Sequence, residues 1–436
     1  MPRRIVVIGG GFAGLHVVRG LAREPEAEIT LISRTNHTLF QPLLYQVATG
    51  SLDEDEVATP IRRVLRRQRN VRFVMAECER LDPPARTVWA NGEAFPYDAL
   101  VLAPGVVYNY FGKEEVWRPL APSLKTIADA EEIRRRALLS FEKAENERDP
   151  AKRSALLNYV LVGGGPTGVE MAGALAELLK ESLSRELTMV RKEEVSILLV
   201  EASDRVLGQF PEELALASQR RLESLGVTLR LNAKVTTIDD DGVVITDAAG
   251  QERVPTENVV WTAGVKGVPL LAGLGVPLDR AGRVPVNGYL EVEGLPGHYV
   301  LGDAAVIPGP DGKPLPGVAQ VAMQGGDYVA RSLRRSLAGR EPQAPFKYWD
   351  KGNMAVVGRG FAIADLHRLR LKGLVAWFAW LFIHILYLTS FRSRLFVFQR
   401  WVAGYLFHNR SAVVFDAPTP LAPVTKPQAD EPELAI

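Results

Sequence analysis

The sequence predicts an α/β fold: two parallel-sheet units, each opened by a glycine-rich strand–turn–helix, then an amphipathic helical region at the C-terminal end. Three observations predict it. The stretches RRIVVIGGGFAGLHVVRGLA and LNYVLVGGGPTGVEMAGALAEL share a β-branched strand, a glycine turn and a helix-period apolar pattern. Further short strands recur in PYDALVLAPG, DGVVIT, ENVVWTAGV and HYVLGDAAV. Between Leu366 and Ser411 there are seven basic residues (Arg368, Arg370, Lys372, Arg392, Arg394, Arg400, Arg410) and no acidic one, around the uncharged run Leu374–Leu388.

With 436 residues, 47% of them hydrophobic and 24% charged, the chain is long enough for two or three folded domains. A net charge of +1 argues against a general nucleic-acid binder. The one cysteine, Cys78, excludes an internal disulfide framework, a Cys-x-x-Cys redox pair and a thiolate zinc cluster, and no metal site is expected. The start MPRRIVVIGGG is not a signal peptide, because its apolar run ends at Ile8; it reads as a buried first strand.

The first glycine turn carries Gly9, Gly11 and Gly14, the second Gly163, Gly165 and Gly168. Such a turn gives a tight bend, a bare backbone beside a pyrophosphate, and a helix N-terminus facing the anion. Each copy follows a strand and opens a helix, which is the context the motif needs, so both units read as Rossmann-like dinucleotide-binding domains. After the second copy, VSILLVEASDRVL places Glu201 at the end of the strand Val195–Val200, where a carboxylate accepts from a ribose diol. Its charge favours NADH over NADPH, and Arg205 nearby works the other way. The first copy departs from this pattern: AEITLISRTNHTLF puts Ser33 where the acid is expected, with Asn36 or a backbone group to share the ribose. Two dinucleotide sites in one chain point to electron transfer between two cofactors.

The spacing predicts a charged helix over Ile127–Glu147 with Ile133, Ala137, Phe141 and Ala144 on one stripe. In GVAQVAMQGG a helix starting near Gly317 would put Gln320 and Gln324, four apart, on one face. The pattern alone also allows those amides to pack against a loop backbone. The uncharged run near Leu374 is short of the 20 or so residues of a membrane span. With Trp377, Trp380, Trp401 and Tyr405 interleaved among basic residues, it reads as helix lying in a membrane interface, attracted to anionic lipid by about 1 kcal/mol per charge. A buried core helix, a dimer helix or a true span are the alternatives. Residues 417–436 hold five prolines and are expected to be disordered.

The paired glycine motifs, the turn Ala103–Gly105 and the loop LGDAA (Leu301–Ala305) resemble the two-dinucleotide-binding flavoprotein reductases. The segments NHTLFQPLLYQVATG, VAQVAMQ, YWDKGNMAVVGRGFAIADL and GLVAWFAWLFIHILYLTSFRSRLFVFQRW narrow this. They resemble type II NADH dehydrogenases, single-subunit NADH:quinone oxidoreductases that do not pump protons. The similarity runs from Arg4 to about Phe415, with Ser33, Pro104 and Ser393 as departures from the usual pattern. Disulfide and sulfide:quinone reductases need cysteines that this chain lacks.

The resemblance implies that the second domain is inserted in the first. The boundaries are then residues 1–125 and 276–345 for an FAD domain, 126–152 for a connecting helix, 153–275 for an NADH domain and 346–416 for a membrane-associating region. It implies non-covalent FAD on Gly9, Gly11, Phe12, Ala13, Gly14, Ser33, Arg34, Gln41, Ala103, Gly105, Asp303, Ala319 and Gln320. NADH, as substrate, falls on Gly163, Gly165, Pro166, Thr167, Gly168, Glu170, Glu201, Ala263 and Gly264. Glu170, Gln320 and Gln324 are the expected catalytic residues. Leu43, Leu44 and Tyr45 are the expected quinone walls, with Gln320, Gln324 and Lys372 as polar groups. The implied setting is peripheral on the cytoplasmic face of the cell membrane, with anionic lipid as a partner and a homodimer left open. Two rival readings remain: a soluble NAD(P)H oxidase or reductase on the same scaffold, and a membrane redox sensor with structural FAD.

Overall fold

Ile5–Ile8 are buried on both faces, as a central strand of a parallel sheet must be. In the structure, a computed structural model describing residues 2–407, the strand Arg3–Ile8 pairs in parallel with Ala27–Ser33 on one side and Ala99–Leu102 on the other. Val71–Met75 and His298–Val300 complete a five-stranded sheet. Its last strand comes from beyond the second unit, so the second domain is an insertion in the first. The second sheet repeats the plan. Asn158–Val162 lies between Ser196–Val200 and Asn258–Trp261, with Val227–Arg230 at the edge. In both sheets the strand order reverses beside the glycine-turn strand, and a ligand crevice opens at that point.

The internal duplication is wider than the glycine units. Each domain inserts a three-stranded antiparallel meander before its fourth strand, Cys78–Pro96 in one and Lys234–Val254 in the other. A two-stranded ribbon, Val106–Tyr108 against Val265–Gly267, joins the domains where the chain crosses between them. The connecting helix runs Ile127–Asn146, opened by a Thr126/Asp129 capping box, and its predicted stripe of Ile133, Ala137, Phe141 and Ala144 is buried.

One crossover departs from the simple strand–helix–strand plan. Between Ala27–Ser33 and Val71–Met75 the chain forms short pieces, among them Leu44–Ala48, Glu54–Val57 and Ile61–Leu65. Pro42 and Pro60 punctuate it, since a proline ring cannot continue a helix. The helix Leu44–Ala48 is buried throughout and packs against both the connecting helix and the second glycine helix.

The segment that the sequence presents as one membrane-associating region divides in two. Asn353–Val356, Ala362–Asp365 and Arg370–Gly373 form an antiparallel sheet that packs on the inserted domain. Two helices follow, Leu374–Tyr387 and Phe391–Phe407. Trp377 and Trp380 face inward. Leu374, Val375, Phe378, Phe382 and Leu386 face outward on the first helix, and Phe391, Leu395, Phe398 and Val402 on the second, at three- and four-residue spacing. No helix among the described residues is long and apolar enough to cross a membrane. The Tyr405 side chain, Arg410 and the proline-rich tail lie outside the described residues.

Candidate functional site

Both glycine turns are built so that only glycine fits at two positions and nothing blocks a third. Gly9 has φ +106°, and a Cβ there would sit 2.1 Å from the Ala103 carbonyl oxygen. A Cβ on Gly14 would sit 2.0 Å from the Gly9 oxygen, whereas one on Gly11 would meet nothing within 4 Å. The second turn reproduces this: Gly163 has φ +110° and lies against Ala263, Gly168 lies against Gly163, and Gly165 faces open space. The helices that begin at Phe12 and Pro166 have no side-chain cap, so their first N–H groups remain for an anion. Pro166 stands at the first helical position, where its missing N–H costs nothing. Gly165→Ala is therefore expected to fold and to raise the KM for NADH by roughly tenfold, because its methyl enters the pyrophosphate space; steady-state kinetics beside a circular dichroism melt checks this.

Ser33 and Glu201 occupy the same place in the two domains. A Cβ on Gly10 would lie 3.0 Å from Ser33 Oγ, and one on Gly164 would lie 3.1 Å from Glu201 Oε2. The Glu201 carboxylate accepts from the Gly164 N–H at 2.6 Å and the Ser203 N–H at 2.8 Å, which fixes it beside the second glycine turn. The buried Ser33 has no such charge. Arg34 points outward, 3.9 Å from Glu77. Arg205 is half-buried and its Nε has no partner.

The first turn and the elements around it fit an FAD. Ala13 packs under the turn, and the Phe12 ring meets Phe40 edge-on at 5.9 Å. Gly105 holds a left-handed turn at φ +73° beside Ala103. Asp303 lies in a short 3-10 turn, with its Oδ1 3.2 Å from where a Cβ on Gly317 would stand. The helix Ala319–Leu337 begins two residues later, also without a side-chain cap. Lys125, which the sequence did not single out, joins this group. Burial holds its ammonium below the usual lysine range, opposed by the charge of Asp303. Gln41 donates to the Lys125 carbonyl at 3.1 Å. Nothing in the sequence marks Lys125, a single lysine ahead of a helix cap.

The two glutamines face one way, toward the loop 349–352. Gln320 Nε2 donates to the Gly352 oxygen at 3.1 Å, and its buried Oε1 has no partner. Gln324 differs: Nε2 donates to the Trp349 oxygen at 2.9 Å and Oε1 accepts the Trp349 N–H at 3.0 Å. Packing against a loop backbone thus describes Gln324 fully and Gln320 by half.

Beyond Gly352 the strand Asn353–Val356 leads to Glu170, whose Oε1 accepts the Val356 N–H at 3.4 Å. Four residues of strand, roughly 13 Å, separate the anchor points of Gln320 and Glu170. Glu170 is the fifth residue of its helix, past the first turn. The dipole there is weak, and burial dominates: the carboxyl is pushed up to about 8, against the lowering effect of the Val356 N–H. Thr167 interacts with Tyr108 of the joining ribbon. Ala263 lies against Gly163, and Gly264 lies against the Phe111 ring.

Leu43, Leu44 and Tyr45 are buried in the same core as Trp377 and Trp380, so the segment lies between the glycine helices and the C-terminal helices. Gln46 donates to the Tyr45 hydroxyl at 2.8 Å and accepts from Trp401 Nε1 at 2.8 Å. His384 stacks on Trp380 at 4.1 Å and meets Phe40 edge-on at 6.1 Å. Burial pushes its imidazole down to about 4, despite the hydrogen bond to the Trp380 carbonyl, so it is neutral at pH 7. Lys372 is placed apart from the glutamines. It is exposed on an edge strand and pairs with Glu213 of the inserted domain at 3.3 Å. Lys351, a cation on the glutamine-bound loop, stands near them. Its Nζ donates to the Tyr387 hydroxyl at 3.0 Å and lies 4.9 Å from the Trp349 ring centre.

Comparison with known proteins shows the family to which the chain is similar. Residues 3–326 match the family described as pyridine nucleotide-disulphide oxidoreductase, and residues 350–410 match the NDH2 C-terminal domain. The chain is 40% identical to a type II NADH:quinone oxidoreductase, Ndh, of Mycobacterium tuberculosis over 94% of its own length and 90% of that protein's. It is 32% identical to a type II NADH:quinone oxidoreductase of Staphylococcus aureus, over 82% and 88% of the two chains. A solved structure of NDH2 from Plasmodium falciparum in complex with NADH superimposes with a TM-score of 0.87 over 95% of this chain and all of that one, at 20% identity, which speaks for the fold.

Proposed function

The chain belongs to the type II NADH:quinone oxidoreductases, and we propose the following division of labour among its residues. As a member of that family it oxidises NADH and passes the electrons to a quinone without pumping protons. When bound, FAD supplies the hydride acceptor and the two-electron relay. NADH lies over Gly163–Gly168 with its adenosine ribose on Glu201, and the carboxylate disfavours a 2′-phosphate. Ser33 takes the weaker ribose contact of the first site. Asp303, Gln41 and Lys125 hold the sugar and phosphate portion of FAD, and the free N-terminus of Ala319–Leu337 presents positive partial charge to the ring.

Glu170 manages a proton. With its carboxyl near 8 it exists in both protonation states around neutral pH, which suits it to receive and return a proton at Oε2, the oxygen that the Val356 N–H does not engage. Gln320 Oε1, an acceptor with no protein partner, takes the hydroxyl of the quinol product, while its Nε2 remains on Gly352. Gln324 holds the loop, and Leu44 and Tyr45 form an apolar wall. The observation that carries this reading is the strand Asn353–Val356 with Gly352 just before it, a short segment that holds Gln320 at one end and Glu170 at the other. Steady-state NADH oxidation with a soluble quinone, set against oxygen alone, tests it. Turnover that needs no quinone would support the soluble oxidase reading, and negligible turnover with either would support a redox sensor.

The two outward apolar stripes favour docking on the lipid surface of a membrane, here the cytoplasmic face. Exposed Phe378 and Phe382 would each gain on the order of 1–2 kcal/mol by burial in the interface. Basic residues add attraction to anionic lipid, although Arg392 and Arg400 already pair with Asp55 and Asp53. Phe378→Glu with Phe382→Glu is expected to lower binding to anionic liposomes by at least about tenfold in a flotation assay. Reduction of a short, soluble quinone should stay within about twofold of wild type. A second copy covering the stripes would instead show as a dimer that the double variant splits.

A further inference from the structure

The loop Asn109–Lys113 contains a backbone conformation that its sequence does not favour. Phe111 has φ +54° and Gly112 φ +84°. A left-handed glycine is ordinary, but a left-handed bulky aromatic is an outlier that persists only where its surroundings impose it. The surroundings here are explicit. The Phe111 N–H donates to Asn109 Oδ1 at 2.9 Å, and the Asn109 N–H donates to the Gly264 oxygen at 3.2 Å. Trp261 Nε1 donates to the Asn109 oxygen at 3.1 Å, and Lys113 Nζ donates to the Thr236 oxygen at 3.1 Å. The loop is thus fastened to the fourth strand of the inserted sheet and to its meander. These fastenings do not bury the ring: Phe111 is 64% exposed, touching Trp261 only edge-on at 6.2 Å. Strain that yields so little packing calls for another reason.

Position supplies one. The strand order reverses at Asn158–Val162, with Ser196–Val200 on one side and Asn258–Trp261 on the other. Glu201 ends the first of these neighbours, so the adenosine half of a dinucleotide falls there. Its pyrophosphate crosses Gly163–Gly168, and the other half must then run over Thr262–Gly264 at the end of the second neighbour. Gly163 is already packed against Ala263. A Cβ on Gly264 would lie 3.2 Å from Phe111 Cζ. The ring therefore stands one residue beyond the glycine turn, on the nicotinamide side.

We infer that Phe111 is a positioning residue for NADH: its ring forms the outer wall of the nicotinamide-ribose half of the site, held there by a strained backbone. The inference rests on the second glycine turn being the NADH site. The ring offers an apolar face to the ribose and nicotinamide, and the left-handed backbone aims it at the crevice rather than into the Trp261 cluster. Gly264 lacks a side chain where one would press on that ring.

The test uses FAD-loaded full-length protein and follows flavin bleaching by NADH anaerobically in a stopped-flow instrument. Phe111→Ala is expected to raise the apparent Kd for NADH about five- to tenfold, with the limiting rate changed less than about threefold and the quinone KM unchanged. Phe111→Tyr keeps the ring and should bind NADH as wild type does. Phe111→Gly removes ring and strain together. It should bind NADH as weakly as the alanine variant yet melt at a higher temperature, because alanine retains the unfavourable φ. Apparent Kd values within twofold of wild type for both Ala and Gly variants would overturn the inference, as would a loss of quinone affinity in parallel with that for NADH. Wild-type protein whose flavin NADH fails to bleach would instead overturn the reading of the site itself.

Discussion

Glu170→Gln is expected to slow quinone-linked NADH turnover by about a hundredfold while FAD stays bound, in line with the loss of a positioned acid–base group. The substitution is discriminating because glutamine keeps an amide oxygen for the Val356 N–H, which Glu170 Oε1 accepts at 3.4 Å. If the side chain served only to hold that strand, glutamine would do it and turnover would persist. What glutamine lacks is a proton that can leave and return. Stopped-flow flavin reduction and reoxidation, measured separately, locate the slow half. Unchanged rates in both halves would remove Glu170 from the chemistry.

The same variant carries a pH signature. Burial raises the folded carboxyl to about 8, above its unfolded value near the ordinary 4.5. Between these values the folded chain binds more protons than the unfolded one, so wild-type stability falls as pH rises through that window and levels off above about 8. Glutamine has no such slope. The melting temperature of Glu170→Gln relative to wild type should therefore climb from pH 5 to pH 8 and then stay constant. The whole climb is limited to a few kcal/mol, because a tenfold difference in proton affinity between the folded and unfolded chain is worth about 1.4 kcal/mol. A flat difference across that range would mean that the carboxyl titrates normally.

Glycine spacing and strand period made both dinucleotide domains legible, because each glycine answers a local steric demand: Gly9 against Ala103, Gly168 against Gly163. The carboxylate Glu201 was legible for the same reason, being fixed by its distance along one strand. What sequence could not place were groups brought together over long separations. Lys125 and Asp303 meet across 178 positions of chain numbering, and neither has a neighbour that announces the other. Lys372, expected at the mouth of the quinone pocket from its place near the C-terminal helices, lies on an edge strand and pairs with Glu213. Lys351 stands near the glutamines because Gln324 grips both the N–H and the carbonyl of Trp349, a tertiary contact with no sequence period. The strand Asn353–Val356 was likewise hidden within a stretch whose basic and aromatic residues speak for membrane association.

Gln320→Leu should impair quinone reduction by about thirtyfold or more, while flavin reduction by NADH stays within about twofold. The asymmetry follows from the two ends of the amide. Nε2 serves the Gly352 carbonyl, and Oε1 is buried with no partner in the protein. A buried polar atom left unpaired costs about 1–3 kcal/mol, a cost that the hydroxyl of the quinol product recovers by donating to Oε1 as the reduction completes. Leucine fills similar space without either function, so it removes the polar contact and also leaves the Gly352 oxygen without its donor. Gln320→Glu separates these effects, because it restores an acceptor and not the amide donor to Gly352. Gln324→Leu offers the control. Both of its amide ends are spent on Trp349, so its loss should loosen the loop that carries Lys351, raising the quinone KM with a smaller fall in kcat. Equal effects of Gln320→Leu and Gln324→Leu on KM and kcat would mean that both glutamines act only as loop fasteners, and that the unpartnered oxygen of Gln320 has no part in quinone reduction.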